Sequence, residues 1–285
     1  MTSLRPYIPR PFKDAYVAGL RAWRYLQALA LDGIDTLLRR RHPLAPPRRQ
    51  ISIGQGDFLR IGAYYVDLFL ARGWLQPHHT ILDVGSGQGR LALPLTRVLT
   101  TGHYIGLEIV PEAVAWCRQT YRAYPHFRFV HADVHNAYYN PRGRSRAAEY
   151  RFPFTDASFD LIIALSVFTH MLPRDVRYYL QEIRRCLAPT GRAFLSVYSV
   201  DEVAREAIRA HRTSPRWQVQ PGGYYVVSPR VPEGAIAYPE AFWLEALQRA
   251  GLQLCEPITY GSSWGGPRAG LPTEQDMLLV ARADT

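Results

Sequence analysis

From residue 58 to about residue 200, apolar runs of strand length alternate without a break with stretches of helical periodicity. "TILDV", "HYIGLE", "HFRFVHAD", "SFDLIIALS" and "RAFLSVYS" read as strands. Between them, "FLRIGAYYVDLFLARGWL", a stretch from Arg90 to about Leu99, "PEAVAWCRQTYRAY" opened by Pro111 and "RDVRYYLQEIRRCL" stopped by "APTG" read as helices. Strict alternation requires right-handed crossovers. The expected fold class is therefore α/β, a Rossmann-like doubly wound sheet, mostly parallel, with helices on both faces. Ligands of such sheets bind outside the carboxyl ends of the strands, near the topological switch point, so strand-end residues carry the functional information.

The first strand runs into "ILDVGSGQGR" (81–90), which sets Gly85, Gly87 and Gly89 at alternate positions behind Asp83. Only residues without a side chain let the backbone approach a ligand this closely. A P-loop would end in Gly-Lys-Ser/Thr, and this loop ends in Gly89-Arg90, which removes an ATPase or kinase reading. A dinucleotide fingerprint is a poor match too, because the third glycine comes one place early. Glu108 ends the second strand about 20 residues later, the spacing at which a carboxylate takes a ribose diol. Asp133 follows the third strand, and "ALSVFTH" (164–170) the fourth. An adenosine ribose is expected, with NAD disfavoured. Singly, Asp83, Glu108 and Asp133 could each cap a turn or a helix. At consecutive strand ends they form one mouth.

Composition narrows the class. With 285 residues, 47% hydrophobic and 20% charged, the chain has material for a sizeable core and lacks the signature of disorder. No apolar run reaches membrane-span length and the first residues lack a secretory core, so a cytoplasmic protein is expected. Cys117, Cys186 and Cys255 stand far apart and are expected as core or near-core thiols, with neither a disulfide framework nor a metal site. The net charge is +10, and Lys13 is the one lysine, the other basic residues being arginines. A GC-rich genome, a hot habitat or a need to bind anions would each produce such usage, and genome bias is the preferred reading.

The stretch resembles the class I S-adenosylmethionine-dependent methyltransferases, whose first motif, acid-x-Gly-x-Gly-x-Gly, is matched by "DVGSGQG". "GLEIVPEAV", "FVHADVHN", "FPFTDASFDLIIALSVFTHML" and "IRRCLAPTGRAFLSVYS" are similar to the second, third, fourth and post-fourth motifs, in that order. "AYPEAFWLEALQRAGLQL" and "EQDMLLVAR" resemble the remaining helix and an antiparallel last strand. The resemblance implies S-adenosylmethionine as cofactor, S-adenosylhomocysteine as product, and no metal. It also implies that Gly85, Ser86, Gly87 and Gly89 approach the methionine and ribose part while Glu108 binds the ribose hydroxyls. Ile109 would line the adenine, Asp133 would accept from its amino group with Val134 beside it, and Asp83 would orient the loop and the methionine ammonium.

The acceptor is less legible. An Asn/Asp-Pro-Pro-aromatic motif, a cysteine nucleophile and an Asp-Asp-Asn metal set are missing after the fourth strand, and "VFTHM" is closer to small-molecule, lipid, quinone and sugar enzymes. His170 is the candidate general base for a hydroxyl acceptor, with packing under the next helix as its alternative. Ser166 and Thr169 are expected to position cofactor or acceptor. The organisation expected is an N-terminal helical arm over 1–57, helical from 12 to 41 and stopped by "RRRHPLAPPRRQ", followed by the catalytic domain over 58–285. The arm is read as a cap with a solvated basic edge, the alternative being a surface helix for acidic lipid or an anionic partner. Segments 136–154 and 200–238, rich in Arg and Tyr, are expected as acceptor-side lids, and "YGSSWGGPRAG" (260–270), with Trp264 and Arg268, as a third flexible loop. The expected function is methyl transfer to a hydroxyl, or next a nitrogen, of a small molecule, sugar or glycolipid. The alternatives are an RNA methyltransferase using the basic surface, although no RNA-binding module is seen, and a non-catalytic protein on the same fold.

Overall fold

The computed structural model describes residues 26–35, 41–48, 56–264 and 273–283, together with Trp23, Leu37, Leu38 and Ile51. By its contacts the chain divides into Met1–Gln55 and Gly56–Thr285.

In the larger unit, β1 (Thr80–Val84), β2 (His103–Glu108), β3 (Phe127–His131), β4 (Phe159–Ala164), β5 (Leu187–Val197), β10 (Leu252–Leu254) and β11 (Asp276–Arg282) form one sheet. Its order is β10-β11-β5-β4-β1-β2-β3. The pairs β1–β2, β1–β4, β2–β3 and β4–β5 are parallel, and β11 runs antiparallel to β5 and β10. The chain leaves β1 toward β3 and returns on the other side to β4, so the switch point lies between β1 and β4. Leu82, Ile162, Ile163 and Leu195 are fully buried, as strands covered on both faces require.

Helix α1 (Phe58–Ala71) begins at Asp57, whose carboxylate accepts from Arg60 N at 2.8 Å. Its Phe69 packs edge-on against Phe194 of β5 at 4.9 Å. Burial of each such ring is worth about 1.5–3 kcal/mol. Helix α2 (Ala92–Leu95) starts later than the expected Arg90, since Pro94 has no N–H to give to the Arg90 carbonyl, and ends before the expected Leu99. Gly62 of α1 sits against that carbonyl: a Cβ at this glycine would lie 2.3 Å from Arg90 O. Helices α3 (Pro111–Thr120) and α4 (Pro173–Cys186) start on proline at N1 or N2. Here "APTG" does not separate helix from strand. Cys186 leads directly into β5, and the register slips between the pairs Phe159–Leu187 and Leu161–Arg192.

The segment expected as a lid over 200–238 folds around a second sheet, which two-residue strands conceal from any periodicity argument. β6 (Ser199–Val200), β7 (Gln218–Val219), β8 (Tyr225–Val226) and β9 (Ile236–Pro239) pair in the order β6-β9-β8-β7. With α5 (Glu202–Arg209) they enclose Val200, Ala204, Trp217 and Trp264. Residues 260–264 are thus packed down and not a free loop. Trp264 is fully buried and donates from Nε1 to Asp276 at 3.0 Å. Arg268 lies outside the described residues. Helix α6 (Glu240–Arg249) returns the chain to the main core through Trp243. Cys117 and Cys186 are buried as expected, whereas Cys255, just past the three-residue edge strand β10, is exposed.

In the smaller unit residues 26–35 are helical, as are Trp23 and Leu37. The rest of the helix expected over 12–41 lies outside the described residues, apart from Leu38, a turn, and Arg41, a bend. Asp32 is buried and accepts from Arg48 N at 2.8 Å, while the Arg48 guanidinium pairs with Asp35.

Candidate active site

Because β1 to β4 are parallel, their carboxyl ends share one edge, and the glycine loop crosses it beside the switch point. Gly85, Gly87 and Gly89 have φ of 73°, 53° and 79°, left-handed values that a side chain disfavours. Space enforces the choice as well. A Cβ at Gly85 would lie 2.5 Å from Val167 Cγ2, and one at Gly89 3.0 Å from the Tyr121 ring. Gly85 N and Ser86 N donate to Leu107 O at 2.7 and 3.3 Å, tying the loop to the end of β2.

Glu108 organises this turn. Its buried carboxylate accepts from Gly87 N at 2.7 Å, Ile109 N at 2.7 Å and Val110 N at 2.8 Å. Burial pushes its pKa up, and the three N–H groups pull it down. Asp83, also buried, accepts from Tyr104 Oη at 2.6 Å. Burial, the largest influence, raises it to about 7, the Tyr104 hydroxyl opposes that, and the charge of Glu108 adds to it. Ser86 is buried with its Oγ in the notch of Gly106, and that hydroxyl has no partner among the described residues. An unpartnered hydroxyl and a glycine cradle beside two buried carboxylates suit a cationic ligand that carries hydroxyls, as S-adenosylmethionine does.

Other expected residues lie further along the same edge. Ile109 is half-buried on the main core and Val134 is buried. Asp133 stands two residues beyond β3 with its carboxylate engaged by Arg144, through Nε and through N at 3.3 Å. The hydrogen bond from Arg144 holds it below the usual carboxylate range. Ser166 has φ of 58°, and its N donates to Ser196 Oγ at 2.7 Å. Both serine hydroxyls donate to Gln275 Oε1, at 3.0 and 2.6 Å. Thr169 is buried and its Oγ1 has no partner among the described residues.

His170 closes the segment that starts beside the glycine loop at Val167, and both tyrosine-rich segments converge on it. Its Nδ1 lies 2.7 Å from Glu233 O. A carbonyl only accepts, so Nδ1 holds the proton and Nε2 presents a lone pair to Tyr139 Oη, 3.3 Å away. Burial lowers the pKa of His170, with the backbone at Glu233 and Gly234 opposing, which favours the neutral ring. Asn136 Nδ2 donates to His170 O at 3.0 Å, and Asn136 Oδ1 accepts from Tyr139 N at 2.9 Å. Tyr139, Asn136, Glu233, Gln275 and Tyr104 escape sequence reasoning. The one signal for the first two is the unusual "NAYYN" run.

The methyltransferase-domain family model matches residues 82–195, which hold most of β1, all of β2 to β4 and most of β5. A probable phthiotriol/phenolphthiotriol dimycocerosates methyltransferase of Mycobacterium ulcerans is 29% identical over 125 residues, 44% of this chain and 42% of the relative. The corresponding protein of Mycobacterium leprae is 32% identical over 111 residues, 39% of this chain and 34% of the relative. The matched part thus spans well under half of these relatives. Among solved structures, magnesium protoporphyrin IX methyltransferase from Synechocystis, determined with bound S-adenosylhomocysteine, superposes with a TM-score of 0.51 at 17% identity, covering 82% of this chain and 92% of that one. A protein of Pyrococcus horikoshii gives 0.53 at 15% identity, covering 82% and 94%. These likenesses concern the fold.

Proposed function

The chain belongs to the class I S-adenosylmethionine-dependent methyltransferases, and on that premise we propose that it methylates a hydroxyl group of a small molecule, sugar or glycolipid. The observation that carries the hydroxyl acceptor is the state of His170: a neutral ring with Nδ1 committed to a backbone carbonyl and Nε2 left to accept. The mycobacterial relatives are named for a triol, an acceptor that bears hydroxyls.

Bound S-adenosylmethionine supplies an electrophilic methyl group on a sulfonium, whose positive charge disperses as the nucleophile approaches. The chain's residues then have three tasks. The glycine loop and Glu108 would hold the ribose and methionine end, with Ser86 Oγ and Asp83 as polar partners there. Asp133, Ile109 and Val134 would flank the adenine. His170 Nε2 takes the hydroxyl proton as the acceptor oxygen forms its new bond, while Glu233 O, already accepting from Nδ1, stabilises the imidazolium that results. Tyr139 keeps Nε2 hydrogen-bonded until the acceptor arrives.

Calorimetric titration of the wild type with S-adenosylhomocysteine tests the first task. Micromolar binding is expected, weakened by about 1–3 kcal/mol in Glu108→Ala, where three backbone donors lose their acceptor. No binding to the wild type would overturn the reading. The third task is tested by transfer of labelled methyl from S-adenosylmethionine to a panel of alcohols, sugars and glycolipids. His170→Asn is expected to slow transfer by about 10²–10⁴-fold without changing S-adenosylhomocysteine affinity, and an unchanged rate would return His170 to a packing role.

A further inference from the structure

The smaller unit carries an apolar face that its own contacts leave open. Trp23, Leu26, Ile34 and Leu37 are 59%, 55%, 49% and 83% exposed, and Leu29, Leu31 and Leu38 are exposed with them. At 100° per residue, positions 23, 26, 29, 30, 34 and 37 fall on one side of a helix and 32 and 35 on the other. The acids on that other side are withdrawn: Asp32 is buried on Arg48 N, and Asp35 is paired with the Arg48 guanidinium. The open face is therefore apolar and free of negative charge.

Charge is concentrated in the same stretch. Of the 34 basic and 24 acidic residues in the chain, residues 1–55 contain ten basic and three acidic, and so account for seven of the ten net positive charges. Arg39, Arg40 and Arg41 follow directly on the apolar face, with Arg48 and Arg49 a few residues later. A second copy of this chain would bring two such basic stretches together, which like-charge repulsion opposes. A nucleic acid would complement the arginines and leave the leucines in water. A bilayer with anionic headgroups complements both.

We propose that the stretch from Trp23 to Arg41 is a peripheral membrane anchor that lies in the interface of anionic bilayers. Trp23, Leu26, Leu29, Ile34 and Leu37 enter the boundary between headgroups and acyl chains while the arginines meet lipid phosphates. This inference does not depend on the methyl-transfer reading, though a chain held at a bilayer would meet acceptors that partition there.

The test is co-sedimentation of the full chain with vesicles of phosphatidylcholine alone or mixed with phosphatidylglycerol. Binding to the mixed vesicles, weakened by salt, is expected. Leu26→Glu/Ile34→Glu should lower the partition coefficient about tenfold or more, and Arg39→Ser/Arg40→Ser/Arg41→Ser should lower it with a shallower salt dependence. The second variant leaves the apolar face intact, so it reads the proposal even if the first folds poorly. Failure to sediment with either vesicle, or equal binding to both at all salt concentrations, would overturn it. So would self-association that the glutamates abolish in the absence of vesicle binding.

Discussion

At the residue scale, the informative groups are two carboxylates one strand apart with opposite surroundings. Glu108 has three backbone donors, whereas Asp83 is held by a single tyrosine hydroxyl and rises to about 7. The folded pKa of Asp83 exceeds its ordinary 3.8, so its contribution to stability is complete below about pH 4 and is lost as pH rises through about 7. Asp83→Asn removes this dependence. The variant is expected to melt a few degrees above the wild type near pH 8 and to bind S-adenosylhomocysteine, with its ammonium group, more weakly. Thermal scans from pH 5 to 8 check this, and parallel curves for the two proteins would sink it. Asp83 and Glu108 were legible in the sequence because each ends a parallel strand. Tyr104 was not, since its hydroxyl meets Asp83 only through the β1–β2 register, which pairs Asp83 with Gly106.

At the element scale, the glycine loop and the short helix after it are clamped by α1. Gly62 sits against the Arg90 carbonyl, and a side chain there must push α1 away from it. Gly62→Val is expected to cost about 1–3 kcal/mol in urea unfolding, as overpacking usually does, with a loss of cofactor affinity because Arg90 follows Gly89. An unaltered midpoint would mean that α1 shifts freely. The 136–154 segment is held in a different way. Arg185 of α4 donates to Phe154 O at 2.7 Å and to Phe152 O at 3.0 Å, and Glu182 accepts from Phe152 N at 2.7 Å. Its end is thereby fixed to the helix that follows His170. Periodicity gave the long elements correctly, while Pro94 and the direct passage from α4 into β5 were missed, because both depend on which carbonyl or strand neighbour is available.

At the scale of the whole molecule, a buried carboxylate ties the two sheets of the larger unit together alongside their shared apolar core. Asp276, at the start of β11, accepts from Ser199 N at 2.6 Å, Gly261 N at 2.8 Å and Trp264 Nε1 at 3.0 Å. Asp276→Ala leaves those donors without that acceptor in the interior and is expected to cost about 2–4 kcal/mol. The loss should appear in urea unfolding, with Trp264 fluorescence changing before the main transition. A single transition at the wild-type midpoint would refute this coupling. The sequence by itself determined the doubly wound sheet, the glycine loop and the acids around it, because alternation and strand-end position are local patterns that a parallel topology turns directly into location. Only the tertiary structure decided the small sheet, the meeting of Tyr139, Glu233 and His170, and the exposure of the arm's apolar face. Tyr139 and Glu233 meet His170 across 31 and 63 positions, and the small sheet rests on strands of two to four residues, so no period along the chain encodes either.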